Sequence, residues 1–207
     1  MLVGSVLLGQ VPANRPTMVE RFEWGGKDPV IAMKIHTPTR VTIHHTGTPQ
    51  RADLSTAQKV KNLQLFSQRE DKLADGRTKP AWGDVPYHYY IGVDGEIAVG
   101  RDDRFAGDTN TEYDPMGHLL VVVEGNFEVE KVLDAQWVAL LEVVWWLAER
   151  EHVPVADIQS HMDFAKTDCP GADLYRMLDD LRWEVLIRRM QPNNEGRKRP
   201  RPAKVGA

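Results

Sequence analysis

The chain has 207 residues, 42% of them apolar and 27% charged, with a formal net charge of −4. That length suits one domain with a real core, and the weakly acidic balance excludes a protein with general affinity for nucleic acid. A single cysteine, Cys169, excludes an internal disulfide framework.

Residues 1–20 read as an extension. Its start, "MLVGSVLLGQVPA", has a short apolar stretch and a small residue suited to cleavage, but no positively charged leading region. It is too short to span a membrane. Two readings stand: a signal-like segment, or an arm lying on the domain. The domain itself is expected over 21–190. The run "RVTIHHT" (40–46) predicts a strand, with β-branched residues and alternation. A helix is predicted over 54–73, started by Leu54 or Ser55, with Val60, Leu63 and Phe66 along one face. "YHYYIGVDGEIAVG" (87–100) predicts a β-hairpin turning at Asp94-Gly95. Residues 101–117 read as a loop. "HLLVVVEG" (118–125) is nearly all apolar, which predicts a central strand buried on both faces.

A long helix is predicted over 134–151, with Asp134 as N-cap and Val138, Leu141, Val144 or Trp145, and Ala148 facing inward. Trp145 and Trp146 are expected to pack at the core and its edge. The loop "MDFAKTDCPGAD" leads to a last helix over 173–189. The order of elements predicts an α/β fold, a central mixed β-sheet flanked by helices. The terminal stretch 191–207 contains "RKRPRPAK", five Lys or Arg and no acid. It is expected to be a disordered basic tail with weak attraction to an anionic wall or membrane surface.

Seven histidines are present, and Cys169 lies eight residues after His161 with Pro170-Gly171 behind it. That spacing alone is weak evidence for a metal corner. The donor chemistry is better: zinc takes imidazole nitrogen and thiolate, and a catalytic site has three protein ligands and an open position. Within "TIHHT", strand alternation puts Thr42, His44 and Thr46 on one face and Val41, Ile43 and His45 on the other. The polar face is where a site opens, so His44 is the expected ligand. His45 is expected to pack, or to support the site from behind.

"RFEWGG", "VTIHHTG", "VPYHYYIGVDGEIAVGRD", "VEGNF" and "SHMDFAKTDCPGADLY" follow one another in the order seen in peptidoglycan recognition proteins and phage lysozyme-type amidases. The chain resembles this family of zinc-dependent N-acetylmuramoyl-L-alanine amidases over roughly residues 20–180. The resemblance implies a substrate groove on one sheet face, with zinc on His44, His161 and Cys169. It implies a catalytic tyrosine at Tyr87, which would otherwise be read as a packed strand aromatic. It gives Thr167 the role of a second catalytic residue, with Lys166 beside it as an alternative. Asp163 is expected either to orient a ligand or to cap its loop. Some family members use a strand carboxylate as base; Glu124 falls two positions late, with Val122 at the matching place, so it is not assigned that role. The sequence departs from the family at "AGDTN", where Asp108 replaces a usual groove histidine, and at "DPMGHLL".

The implied partner is peptidoglycan, met by a monomer with no specific nucleic-acid affinity. A secreted or periplasmic enzyme and a phage lysin both suit the resemblance. Two rival functions remain at this level: a recognition protein that binds peptidoglycan without cutting it, and a cysteine hydrolase with Cys169 as nucleophile.

Overall fold

The computed structural model describes residues 14–73 and 76–190; the expectations for 1–13 and for the 191–207 tail lie outside the described residues. A five-stranded sheet organises the chain. In chain order the elements are β1 (Arg40–His45), α1 (Thr56–Ser67), a small ladder of β2 (Asp71–Lys72) and β3 (Thr78–Lys79), then β4 (Tyr89–Ile91) and β5 (Ile97–Val99). They continue with β6 (His118–Val123), α2 (Asp134–Arg150), β7 (Ile158–Ser160), α3 (Ala172–Tyr175) and α4 (Leu178–Met190). The sheet order is β5-β4-β6-β1-β7, mixed as expected: β1 is parallel to β6 and β7, β4 is parallel to β6, and β4 and β5 form the antiparallel hairpin. Gly95 turns that hairpin at φ +80°, a conformation open to glycine at little cost. The segment before β1 lies along the hairpin edge: Val19 N–H donates to the Ile97 carbonyl at 2.8 Å, and Val99 N–H to the Val19 carbonyl at 2.9 Å.

The apolar run 118–123 is the central strand, every residue of it buried. Alternation divides it between two cores. Val41, Ile43, Leu119, Val121 and Val123 face a large core completed by α2 and α4. Val122 and Tyr90 face the other side, with Val60 of α1, Val85 and Trp24. Trp24, from "RFEWGG", donates its indole N–H to the Val99 carbonyl at 2.7 Å. The second side is also the face of His44, so it carries the site.

Three expectations need correction. The first helix ends at Ser67 rather than 73. Beyond its end, buried Lys79 donates to the carbonyls of Ser67, Arg69 and Pro80 at 2.8–2.9 Å, replacing the bonds of a further turn. Its start is as expected, with Ser55 accepting from Gln58 N–H. The N-cap of α2 is Leu133, not Asp134. The side chain of Gln136 reaches back to accept from Leu133 N–H at 3.1 Å, and Asp134 sits in the first turn, where its charge suits the helix dipole. The last helix is two helices. Buried Asp173 ties the short α3 to Val132 N–H at 3.0 Å, and α4 restarts at Leu178 to pack against α2. In α2 the inward stripe includes Trp137, Leu140, Val144 and Leu147, while Val138 is only partly buried. Trp146 packs edge-on to Tyr89, and Arg188 lies over Trp145, so the tryptophan pair serves packing.

Candidate metal centre

Three side chains from distant parts of the chain meet above the sheet. His44 comes from β1, His161 from the turn just after β7, and Cys169 from the loop before α3. All three are buried, and one ligand atom from each lies within 4.8 Å of the others. The thiol sulfur is 3.5 Å from His44 Nδ1, and the two imidazole rings are 4.6 Å apart between centroids. The β1–β7 pairing explains the meeting. Ile43 is in register with Ser160, so the residue after each, His44 and His161, emerges at the same end of the sheet. Cys169 is brought in behind them. Its sulfur accepts from His45 N–H at 3.3 Å, and its own N–H donates to the Thr167 hydroxyl at 3.2 Å. Gly171, at φ +86°, lets this loop pass Phe127; a Cβ there would sit 2.5 Å from the Phe127 carbonyl carbon.

This donor set fits zinc. Zn–S of about 2.3 Å and Zn–N of about 2.0–2.1 Å in a tetrahedron separate the two donor atoms by about 3.5 Å. The observed Sγ–Nδ1 distance is the same. The electrostatics agree. Burial, reinforced by the other histidines, holds His44 well below its ordinary pKa, and burial with nearby His45 lowers His161 to about 4. Both rings are therefore neutral and able to donate a lone pair at neutral pH. Burial pushes the Cys169 thiol up to about 12. A thiolate here needs a cation beside it, so metal uptake would release the thiol proton.

The other predicted residues fall as follows. His45 points to the opposite face, its Nδ1 accepting from Phe127 N–H at 3.3 Å, which is a packed role. Tyr87 lies next to His44, with ring centroids 5.2 Å apart, and burial raises its phenol above the ordinary range. Thr167 stays near the thiol through the Cys169 N–H bond, while Lys166 is exposed. Asp163 caps the turn that carries His161: it accepts from Ser160 N–H at 2.7 Å and from the Tyr175 hydroxyl at 3.1 Å. Among the described residues no hydrogen bond joins it to the His161 ring. Val122 pairs in register with His44, and Glu124 lies beyond it in a buried ion pair with Lys59 at 2.8 Å. Asp108 is held by the buried Arg101 guanidinium, on the wall of a groove of about 450 Å³ beside the site.

Two neighbours of the histidines went unnoticed in the sequence. The Thr111 hydroxyl is 2.7 Å from His161 Nε2, and the Tyr113 hydroxyl is 3.5 Å from His44 Nε2. Both come from the irregular 101–117 segment, where no periodicity marks which side chains turn inward.

Comparison with known proteins bears on the family and the fold. Residues 34–172, well over half of the chain, match the family model described as N-acetylmuramoyl-L-alanine amidase. Peptidoglycan-recognition protein SD of Drosophila melanogaster is 28% identical over 188 residues, 86% of this chain and 89% of that protein. The pig N-acetylmuramoyl-L-alanine amidase is 28% identical over 138 residues, 66% of this chain but 22% of the pig protein. The crystal structure of Drosophila recognition protein SD superposes with a TM-score of 0.68 at 25% identity, covering 80% of this chain and 94% of that one. The amidase LysC from Clostridium intestinale shares the fold, with a TM-score of 0.65 at 22% identity over 83% of this chain and 99% of that one. The chain belongs to the N-acetylmuramoyl-L-alanine amidase family that includes the peptidoglycan recognition proteins.

Proposed function

We propose that the protein is a zinc-dependent N-acetylmuramoyl-L-alanine amidase, cutting the amide between the muramic acid lactyl group and L-alanine of peptidoglycan. The observation that carries this reading is the convergence of His44, His161 and Cys169, with Tyr87 beside them. Zinc on these three residues would supply Lewis acidity, polarising the amide carbonyl and lowering the pKa of a water toward neutrality.

The chain's own residues supply the rest. Tyr87, whose phenol pKa is raised, keeps its proton at neutral pH and can donate it in a hydrogen bond to the carbonyl oxygen as negative charge develops there. Thr167 accepts the Cys169 N–H, which leaves its own hydroxyl proton for the same oxygen. The groove along Met33, Asp108, Thr111 and Tyr113 would take the stem peptide. Recognition proteins LCa, LCx and LE, which share the fold, have been crystallised with tracheal cytotoxin, a monomeric diaminopimelic acid-type peptidoglycan, which supports peptidoglycan as the partner here.

A cysteine hydrolase is disfavoured by the thiol itself. Attack needs a thiolate at neutral pH, and burial moves Cys169 the other way. The recognition-only reading is separated by digestion of purified peptidoglycan with and without a zinc chelator. Mass spectrometry should show stem peptides beginning with L-alanine, released only without chelator. Binding to peptidoglycan with no such release would overturn the amidase reading in favour of recognition. Release insensitive to chelator would remove zinc from it.

A further inference from the structure

We propose that segment 109–114 is a strap that fixes both metal-binding histidines from outside, with Thr111 and Tyr113 as the positioning residues. The inference rests on the zinc reading of the site.

The two contacts fall on the same atom of each ring. Thr111 Oγ1 lies 2.7 Å from His161 Nε2, and the Tyr113 hydroxyl lies 3.5 Å from His44 Nε2. The other nitrogen of His44, Nδ1, faces the Cys169 sulfur at 3.5 Å. A neutral imidazole has one N–H and one lone pair, so a partner at Nε2 that accepts the proton leaves the Nδ1 lone pair for a metal. At His44, whose Nδ1 faces the thiol, an accepting Tyr113 oxygen would select the ligating tautomer, and Thr111 would hold the His161 ring plane by the same atom.

The strap is itself held. Thr109 and Thr111 hydroxyls are 2.7 Å apart, and Thr111 N–H donates to Thr109 Oγ1 at 3.1 Å, which closes a local turn. The Tyr113 ring is packed against His161 at 5.0 Å and His118 at 5.2 Å and stacked on Phe164 at 5.8 Å between centroids. His118 is fixed in turn by the Thr42 hydroxyl at 2.8 Å. Thr111 and Tyr113 also line the groove beside the site, so one short segment shapes the groove wall and aims the two histidines.

Loss of the outer partner of a metal-bound histidine typically weakens metal binding about 10- to 100-fold. The test measures zinc affinity of the full chain by competition with a chromophoric chelator, alongside melting of the metal-free protein. Thr111→Val keeps the shape and removes the hydroxyl, and should bind zinc about tenfold or more weakly, while Thr111→Ser stays within about threefold of the parent. Tyr113→Phe should weaken binding by less, because its contact is longer. Metal-free melting should be shared by all four proteins. Parental zinc affinity in Thr111→Val overturns the strap and leaves the zinc reading standing. A parent protein that takes up no zinc overturns the zinc reading and the strap with it. If Thr111→Val also melts earlier without metal, recovery of both melting and affinity in Thr111→Ser supports the proposal. Recovery of melting without affinity overturns it.

Discussion

At the scale of single residues, two adjacent histidines have opposite fates because a strand alternates its side chains. His44 faces the thiol and His45 faces Phe127. His44→Ala should therefore lose most bound zinc in metal analysis, and His45→Ala should retain it; the reverse result would assign the ligand to the wrong member of the pair. Tyr87 is a different kind of residue. Its ring lies beside that of His44, and it is not one of the three proposed zinc ligands. Tyr87→Phe should keep the fold and the zinc yet lose about two to three orders of magnitude in turnover, the usual worth of a hydrogen-bond donor at a developing oxyanion. Turnover on a soluble muropeptide checks this, and parental turnover would remove Tyr87 from the chemistry. The convergence of His44, His161 and Cys169 was readable from donor type, alternation and family order. Thr111 and Tyr113 were not, because a hydroxyl in an irregular segment has no pattern to show which way it points.

At the scale of elements, the hairpin, the central strand and the start of α1 were readable from alternation, apolar runs and a capping serine. The end of α1 was not, because it depends on Lys79, which lies twelve residues beyond Ser67 and collects the carbonyls there. The Asp134 cap was misread for a similar reason: Gln136 competes for the same position and is held by the Glu124 carbonyl at 2.7 Å. The buried pair of Lys59 and Glu124 joins α1 to the end of β6. Their side chains are 7% and 3% exposed, and Glu124 also accepts from Arg51 N–H at 2.9 Å. Removing one partner strands a buried charge. Lys59→Met should cost about 3–5 kcal/mol in denaturant unfolding, and the double change Lys59→Met with Glu124→Leu should cost less than the single one. A double variant less stable than Lys59→Met would mean that the pair contributes little and that Glu124 is held mainly by its other bonds.

At the scale of the whole molecule, α/β architecture followed from the order of elements, whereas the strand order β5-β4-β6-β1-β7 did not, since parallel pairing is set by long-range packing. The site depends on that pairing, because β1 and β7 are neighbours only in space. The sheet also carries buried histidines outside the candidate metal set. His88 accepts from Leu120 N–H through Nδ1 and has Nε2 2.9 Å from the Phe105 carbonyl. His118 is held by Thr42. Burial lowers both to about 4, opposed at His88 by Asp103 and at His118 by Asp114. Burial likewise lowers His36, which stacks on His88. In the unfolded chain a histidine titrates near 6.5. Between about 4 and about 6.5 the unfolded state therefore binds more protons, and stability rises with pH. The contribution of His88 and His118 is fully present above about 6.5 and is lost as the pH falls toward about 4. The metal-free protein should melt several degrees lower at pH about 5 than at about 7, in a range above most carboxylate titration. A melting temperature that stays level across that interval would mean that His88 and His118 accept protons within the fold, and their burial would then carry no acid sensitivity.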